Sequence, residues 1–227
     1  MTSKEQFLNF PVEEYATSII SIGDPGSGKS YVMIACIKEW IKMNVFTEIH
    51  LILPSFLNEK NDSYKGLDTY ENVFVYENYR SVIAENLIKK SDKNNELCKK
   101  GKEERHRYLF CVDDATGEGI QLMKCPHLIK IATQGRHLNI QSWYCLHSNS
   151  AIIPPKIRNN IQYVFIYNLH NVLLKKIWES YINFGEFRKY NDFLEFWDNY
   201  VINQEHGCLL IKKNKWYSPK VSTWFSK

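Results

Sequence analysis

The sequence predicts an α/β fold in which helices cover both faces of a mainly parallel central sheet. Short runs rich in β-branched and aromatic residues alternate along the chain with stretches whose apolar residues recur at helical spacing. The short runs are apolar almost throughout, which is typical of strands buried on both faces of a parallel sheet. The chain has 227 residues, enough for one domain of this class with a small appendage.

The elements follow one another in a regular order. The predicted strands are residues 17–23, 48–54, 72–77, 107–114, 140–147 and 161–169. The predicted helices are residues 29–43, 81–90 and 125–135, with Gly135 as the residue that ends the third helix. Strands that alternate with helices in this way indicate βαβ units.

The last part of the chain has a different composition. Two aromatic-rich stretches, 172–184 and 190–202, have the pattern of helices, and residues 207–218 suit a terminal hairpin. We therefore divide the chain into a core, residues 1–169, and a helical extension, residues 170–227, that packs on the core. The aromatic side chains of the extension recur at helical spacing, which favours packing in a core or against another subunit over stacking on bases.

Composition excludes several classes of protein. With 44% hydrophobic and 24% charged residues the chain has the balance of a globular protein, and no apolar run approaches the ~18 residues of a membrane span. The N-terminus lacks the apolar core of a signal peptide, so we expect a soluble protein that is not secreted. Six cysteines lie far apart without ligand-like spacing, which favours reduced thiols over a zinc site.

The positive charge is concentrated in one segment. The whole chain carries a formal net charge of +4, and from Arg80 to Arg107 nine Lys and Arg stand against five Asp and Glu, so 9 − 5 = +4. Residues 89–107 can therefore belong to a solvated helix and loop, or form a mobile loop that lines a pore and contacts a polyanion. Contacts of the second kind would be to phosphates and independent of nucleotide sequence.

A glycine-rich turn lies between the first predicted strand and the first predicted helix. Residues 23–30 fit G-x-x-x-x-G-K-[ST], the phosphate-binding P-loop, in the strand–loop–helix context that the motif requires. Lys29 is expected to reach the β- and γ-phosphates of a nucleotide, and the Ser30 hydroxyl is expected to bind Mg²⁺. The expected nucleotide-binding residues are Gly23, Asp24, Pro25, Gly26, Ser27, Gly28, Lys29, Ser30 and Tyr31.

Two acidic residues end the fourth predicted strand. Asp113 would bind Mg²⁺ through water if its strand lies beside the first strand, and Asp114 could polarise the water that attacks the γ-phosphate. The same pair could instead cap the turn that follows. An Asp114 side chain that points away from the nucleotide would leave a binding switch without hydrolysis.

Together these features resemble a family of viral genome-packaging ATPases. Besides the P-loop and the two acids, the resemblance rests on TQGRHLNIQSWYCLH and IIPPKIRNNIQYVFIYNL, and it covers roughly residues 10–170. It points to the poxvirus-type branch of the FtsK/HerA superfamily, found in large DNA viruses and virophages. It implies a P-loop NTPase of the ASCE, RecA-like type that hydrolyses ATP with Mg²⁺ and translocates double-stranded DNA.

The resemblance also implies roles for individual residues. It assigns the metal to Ser30 and Asp113, and catalysis to Lys29, Asp114, Arg136, Arg158 and His147. Arg136 is the first candidate for an arginine finger that acts on the ATP of a neighbouring subunit, and Arg158 is the second. Family members place an amide that senses the γ-phosphate after the next strand, where this chain offers His147 or Asn149 instead.

The resemblance implies partners as well. These are duplex DNA bound without sequence preference, capsid or portal-vertex proteins, and further copies of the chain in a pentameric or hexameric ring. The implied location is the viral factory in the host cytoplasm, with the virion as a second location.

Two other functions fit the same P-loop. A nucleoside or nucleotide kinase usually carries an arginine-rich lid late in its core, and after residue 140 only Arg158 and Arg188 are available for one. A nucleotide-gated assembly module would bind ATP without hydrolysing it.

Overall fold

Eight strands in the described part of the chain form one sheet. The computed structural model describes residues 16–54, 64–113, 124–147, 153, 155–182, 187–203, 207–212 and 220–225. The strands are β1 (Ser18–Ile22), β2 (Glu48–Ile52), β3 (Val73–Tyr76), β4 (Tyr108–Val112), β5 (Ile140–Leu146), β6 (Tyr163–Ile166), β7 (Gly207–Lys212) and β8 (Lys220–Phe225). Their order in the sheet is β3-β2-β4-β5-β1-β6-β7-β8. Strands β1 to β6 pair in parallel, so the predicted mainly parallel sheet is confirmed.

Helices connect these strands and lie on both faces of the sheet. They are α1 (Lys29–Lys42), α2 (Ser81–Lys99), α3 (Pro126–Leu138), α4 (Pro155–Arg158), α5 (Asn171–Ile177) and α6 (Tyr190–Trp197). A short 3₁₀ helix covers Leu67–Thr69, and π-helical turns continue α5 over Trp178–Ile182 and α6 over Asp198–Ile202. None of the helices in the described ranges combines the length and hydrophobicity that a bilayer span requires.

The two faces of the sheet bury two separate apolar cores. One core packs α1 and the 3₁₀ helix on one face, with Trp40 and Trp143 among its largest side chains. The other core packs α2, α3, α5 and α6 on the opposite face. Along β1 the buried side chains alternate between the cores, with Ile19 in the first and Ile20 in the second. This alternation explains why the strands are apolar almost throughout.

The extension continues the central sheet as well as covering it. Strand β7 pairs antiparallel with β6, and β8 pairs antiparallel with β7. The aromatic side chains Tyr181, Phe193 and Trp197 are buried in the core beneath α5 and α6, the arrangement that their helical spacing favours. The boundary between residues 169 and 170 stays a prediction.

Residues 89–107 form a helix and a loop, one of the two alternatives, because α2 continues to Lys99; the alternative of a loop over the whole segment is wrong. Two polar side chains hold the helical part in place. The Ser91 hydroxyl donates to the Leu138 carbonyl, and the Asn94 amide nitrogen donates to the Glu104 carbonyl over 3.0 Å. Asn94 also accepts the His106 N–H over 2.9 Å, so the loop after the helix is tied back to it.

The expectation that Gly135 ends α3 is also wrong. The helix runs to Leu138, and Asn139 ends it in the left-handed conformation with φ 52°. Gly135 lies within the last turns because the helix approaches β5 closely there. A Cβ atom at this position would lie 2.5 Å from the carbonyl oxygen of Ile140.

Candidate functional site

The glycine-rich turn lies at the carboxyl edge of the sheet, the edge where β1 to β6 end. It follows β1, and α1 begins directly after it at Lys29. Gly26 and Gly28 have φ of 74° and 96°, a region that side-chain-bearing residues rarely adopt. A Cβ atom on Gly23 would lie 2.6 Å from Cβ of Tyr167, so the glycine there permits close packing against the end of β6.

Two neighbouring strand ends hold the loop in place. The Gly23 N–H donates to the Leu146 carbonyl over 3.3 Å, and the Asp24 N–H donates to the Asn168 carbonyl over 3.1 Å. The loop is therefore fixed between the ends of β5 and β6. Its remaining N–H groups precede the N-terminus of α1, whose dipole favours an anion.

The Lys29 side chain folds back onto the loop. Its ammonium donates to the Gly23 carbonyl over 2.8 Å and to the Asp24 carbonyl over 2.7 Å, and the residue is only 6% exposed. A buried cation is costly unless it is hydrogen-bonded. The positive charge of Lys29 thus lies at the turn, where the phosphates of a nucleotide are expected.

Asp113 meets the loop from a strand that is not the neighbour of β1. Strand β5 lies between β4 and β1, which corrects the assumption of adjacent strands. The contact forms nevertheless: the Ser30 hydroxyl donates to Oδ1 of Asp113 over 2.8 Å. Asp113 is 1% exposed, and its N–H donates to the Ile52 carbonyl at the end of β2.

A third side chain completes this cluster. The Tyr64 hydroxyl donates to Oδ2 of Asp113, and Tyr64 is itself 3% exposed. Burial, followed by the charge of Asp113, raises the pKa of Tyr64, so the phenol keeps its proton and remains a donor. The sequence pattern did not indicate Tyr64, because it lies in a polar segment between β2 and β3 that carries no motif.

These groups fit a nucleotide with a divalent cation. The hydroxyl of Ser30 and the carboxylate of Asp113 are the oxygen ligands that Mg²⁺ prefers. The Ser27 hydroxyl is buried and has no hydrogen-bond partner within the part of the chain described, which leaves a donor available at the turn. A cavity of about 240 Å³ adjoins the loop and extends to Asn168, Val201 and Ile202.

Only some of the other residues expected at this edge lie within the described part of the chain. His147 directly follows β5 and is half-buried, next to the Leu146 carbonyl that binds the loop. Tyr31 lies in the first turn of α1 and is 55% exposed, while Pro25 is exposed in the loop. Asp114 and Asn149 lie outside the described residues.

The two arginines predicted to act in catalysis lie away from this edge. Arg136 is exposed in the last turn of α3, and that helix of 13 residues, about 20 Å long, ends where β4 and β5 begin. We name this side of the sheet the amino edge. Arg136 lines a cavity there of about 580 Å³, together with Arg105, His137 and Gln162. Arg158, in α4, donates to the Ser180 hydroxyl over 3.3 Å.

Comparison with known proteins matches the chain to a family of viral proteins. The sequence model of the family described as Poxvirus A32 protein matches residues 5–190, more than half of the chain. This match agrees with the poxvirus-type branch that the motifs indicated. No curated protein sequence is significantly similar to the chain.

Several solved structures share the fold. The DNA-packaging ATPase B204 from Sulfolobus Turreted Icosahedral Virus matches with a TM-score of 0.62 at 14% identity, over 93% of this chain and 98% of B204. B204 from Sulfolobus turreted icosahedral virus 2, in complex with AMP, matches with a TM-score of 0.58 at 13% identity, over 91% and 96% of the two chains. EssC (ATPases 2 and 3) from Geobacillus thermodenitrificans matches with a TM-score of 0.61 at 13% identity, over 94% of this chain and 40% of EssC. At such identities the shared feature is the fold.

Proposed function

The chain belongs to the Poxvirus A32 protein family, and from this premise we propose that it is an ATP-hydrolysing motor that moves double-stranded DNA into a viral capsid. The observation that carries the proposal is the contact between Ser30 and Asp113, 2.8 Å apart across the carboxyl edge beside the buried Lys29. A P-loop without a facing carboxylate could still bind phosphates, but it would lack the acidic side chain that holds the metal of the nucleotide. Solved B204 proteins that share the fold, named as genome-packaging NTPases in complex with AMP or ATP-gammaS, support binding of a nucleotide.

The residues at the carboxyl edge have separate roles in the proposed reaction. Lys29, now bonded to two loop carbonyls, would exchange them for the β- and γ-phosphate oxygens. Ser30 and Asp113 would hold Mg²⁺, which supplies positive charge to neutralise the phosphates. Asp114 is proposed to orient the attacking water, and His147 to respond to the γ-phosphate from the end of β5.

An arginine finger in this protein would have to act between subunits. Arg136 lies at the amino edge, separated from Asp113 by the length of α3, so its side chain cannot reach the nucleotide of its own chain. It is exposed and has no ion pair among the residues described. Arg158 donates to Ser180 of its own chain, which makes it the weaker candidate. This geometry supports a closed ring, pentameric or hexameric, in which one subunit presents Arg136 to the next.

The amino edge also supports contact with DNA. Lys99, Lys100 and Lys102 are exposed there, and none of them has an ion pair among the residues described. By contrast, Lys89 pairs with Glu85, and Lys90 pairs with Glu48. These three lysines can bind the phosphates of a DNA duplex, and such contacts do not depend on the base sequence. Capsid or portal-vertex proteins as partners, and the viral factory as location, follow from the proposed role.

Steady-state ATP hydrolysis with and without long duplex DNA tests the proposal. We expect Mg²⁺-dependent phosphate release that duplex DNA stimulates, and no release from an Asp113→Ala variant of unchanged thermal stability. Hydrolysis that is indifferent to DNA would contradict a translocating motor. Phosphate transferred to an added nucleoside would indicate a kinase, and tight binding of ATP without turnover would indicate a nucleotide-gated assembly module.

A further inference from the structure

Asp113 is held on both of its carboxylate oxygens by side chains of the protein itself. Ser30 donates to Oδ1, and Tyr64 donates to Oδ2. Asp113 is 1% and Tyr64 is 3% exposed, whereas Ser30 is half-buried, so water is kept away most completely from the bond between Tyr64 and Asp113. Hydrogen bonds to an ionised carboxylate are among the stronger ones in proteins, and screening by solvent is weak here.

Tyr64 lies between β2 and β3, outside both the phosphate loop and β4. It opens the turn before the 3₁₀ helix, and Gly66 and Leu67 follow it. Leu67 is fully buried in the same apolar core as the Tyr64 ring, and the Thr69 hydroxyl donates to the Gly66 carbonyl over 2.7 Å. Core packing fixes the ring, and a hydrogen bond fixes its turn, so the hydroxyl approaches Asp113 from a fixed direction.

We propose that Tyr64 is a positioning residue for the metal-binding carboxylate, holding Asp113 toward Ser30 so that a divalent cation enters a preorganised site. The inference rests on the proposed nucleotide site and adds to it a residue outside the P-loop and outside the acidic strand end. The hydroxyl touches neither the nucleotide nor the metal in this scheme. It acts through Asp113, as groups that hydrogen-bond to metal ligands commonly do.

Loss of the hydrogen bond from Tyr64 should weaken metal binding more than it weakens nucleotide binding. Without the Tyr64 hydroxyl, Asp113 loses this hydrogen bond at Oδ2, and its carboxylate is held less firmly toward Ser30. Part of the free energy of metal binding is then used to restore that orientation. The loop N–H groups and Lys29 still bind phosphates as before. Groups of this kind typically alter metal affinity by about 10- to 100-fold.

Tyr64→Phe tests the inference, because it removes one oxygen and leaves the buried ring. Binding of Mn²⁺ in the presence of a non-hydrolysable ATP analogue is measured by electron paramagnetic resonance. We expect the dissociation constant for Mn²⁺ to rise about tenfold or more, while affinity for the analogue in EDTA changes less than about twofold. The half-saturating Mg²⁺ concentration in hydrolysis should rise in parallel, with a smaller change in the rate at saturating Mg²⁺.

Tyr108→Phe is the matched control. Tyr108 is also a buried tyrosine and lies at the opposite end of β4, where its hydroxyl is 3.4 Å from Nδ1 of His106. Its variant should bind Mn²⁺ as the wild type does. Equal Mn²⁺ affinity in Tyr64→Phe and wild type, or equal losses in both variants, would overturn the role of Tyr64.

A second variant keeps the test decisive if Tyr64→Phe does not fold. Placing p-aminophenylalanine at position 64 retains the ring and an N–H donor, and should keep Mn²⁺ affinity within about threefold of wild type. A tenfold or larger loss in that variant would contradict the inference. A wild-type protein that binds no nucleotide would instead overturn the proposed function, so the two failures are distinguishable.

Discussion

The charged side chains at the two edges of the parallel sheet differ in their burial and in their bonding partners. At the carboxyl edge the charged groups are hydrogen-bonded to neutral groups of the same chain: Lys29 donates to loop carbonyls, and Asp113 accepts from Ser30 and Tyr64. At the amino edge Arg105 and Arg136 line an open cavity of about 580 Å³, and neither has an ion pair in the part of the chain that is described. One edge is organised within a single chain, whereas the other presents cations outward.

This difference indicates where each edge finds its ligand. Buried charges need fixed partners, and such partners make a preorganised site for a small ligand. An exposed cation without an ion pair destabilises the fold little, because water solvates it. Its most favourable interactions are with a large polyanion or with a charge on another subunit. We therefore expect substitutions at the carboxyl edge to act within one subunit, and substitutions at the amino edge to act through DNA or through a neighbour.

The largest effect is expected at the carboxyl edge. Lys29→Ala removes the buried cation and should reduce ATP hydrolysis to the background rate, because phosphoryl transfer depends on positioning and charge stabilisation. Mixing with wild-type subunits should not restore nucleotide binding to the variant subunits. Lys38→Ala, in the same helix, is the control. Hydrolysis that survives Lys29→Ala in assays of phosphate release would place the reaction elsewhere.

Arg136→Ala tests the amino edge in the same assay. If Arg136 is an arginine finger, the rate at saturating ATP should fall by about 10³-fold, while the dissociation constant for ATP changes little. Rings mixed from Arg136→Ala and Lys29→Ala subunits should recover part of the activity, because one kind of interface then has both groups intact.

Arg188→Ala provides the control for an exposed arginine outside the amino-edge cavity. It should leave the rate unchanged. Rings that are demonstrably mixed and show no recovery would argue against action between subunits.

A smaller effect is expected for DNA. Replacing Lys99, Lys100 and Lys102 by Gln should weaken duplex binding by about 10- to 100-fold at low salt, and the slope of log K against log salt should flatten by up to about 2.7. Fluorescence anisotropy across a salt series measures both. The same replacement at Lys175, Lys176 and Lys189 removes equal charge from the extension and should leave the slope unchanged. Equal slopes in both triple variants would contradict a role for Lys99, Lys100 and Lys102 in DNA binding.

The smallest effect concerns stability at the amino edge. Gly135→Ala would gain about 1 kcal/mol of helix propensity. The added Cβ, 2.5 Å from the Ile140 carbonyl, costs more than that gain. We expect a net loss of about 1 kcal/mol in the free energy of unfolding and a melting temperature lower by about 3 °C. A more stable variant in calorimetry would show that α3 and β5 can separate enough to admit the added Cβ atom.

The sequence predicted the carboxyl edge better than the amino edge. The P-loop and Asp113 were found because each is a local pattern: glycines before a helix, or an acid after an apolar strand. Tyr64 was missed because its contact with Asp113 depends on how the segment between β2 and β3 folds back. No local pattern marks a residue whose partner lies 49 positions away.

The errors at the amino edge also have physical causes. The end of α2 was missed because Ser91 and Asn94 interrupt its apolar pattern, and hydrogen bonds allow both to be buried. The sequence wrongly predicts a helix end at Gly135, because a glycine that permits close packing and a glycine that ends a helix look the same in sequence. Asn139, which adopts the left-handed conformation, provides the actual end.

The central claim is that Ser30 and Asp113 hold the metal of a bound nucleotide. Anomalous scattering from a crystal grown with Mn²⁺ and a non-hydrolysable ATP analogue tests it most directly. We predict a peak at the carboxyl edge, with the Ser30 oxygen at a direct-ligand distance of about 2.1 Å and Asp113 facing the same ion. A nucleotide bound at the loop with its Mn²⁺ peak remote from both side chains would contradict it.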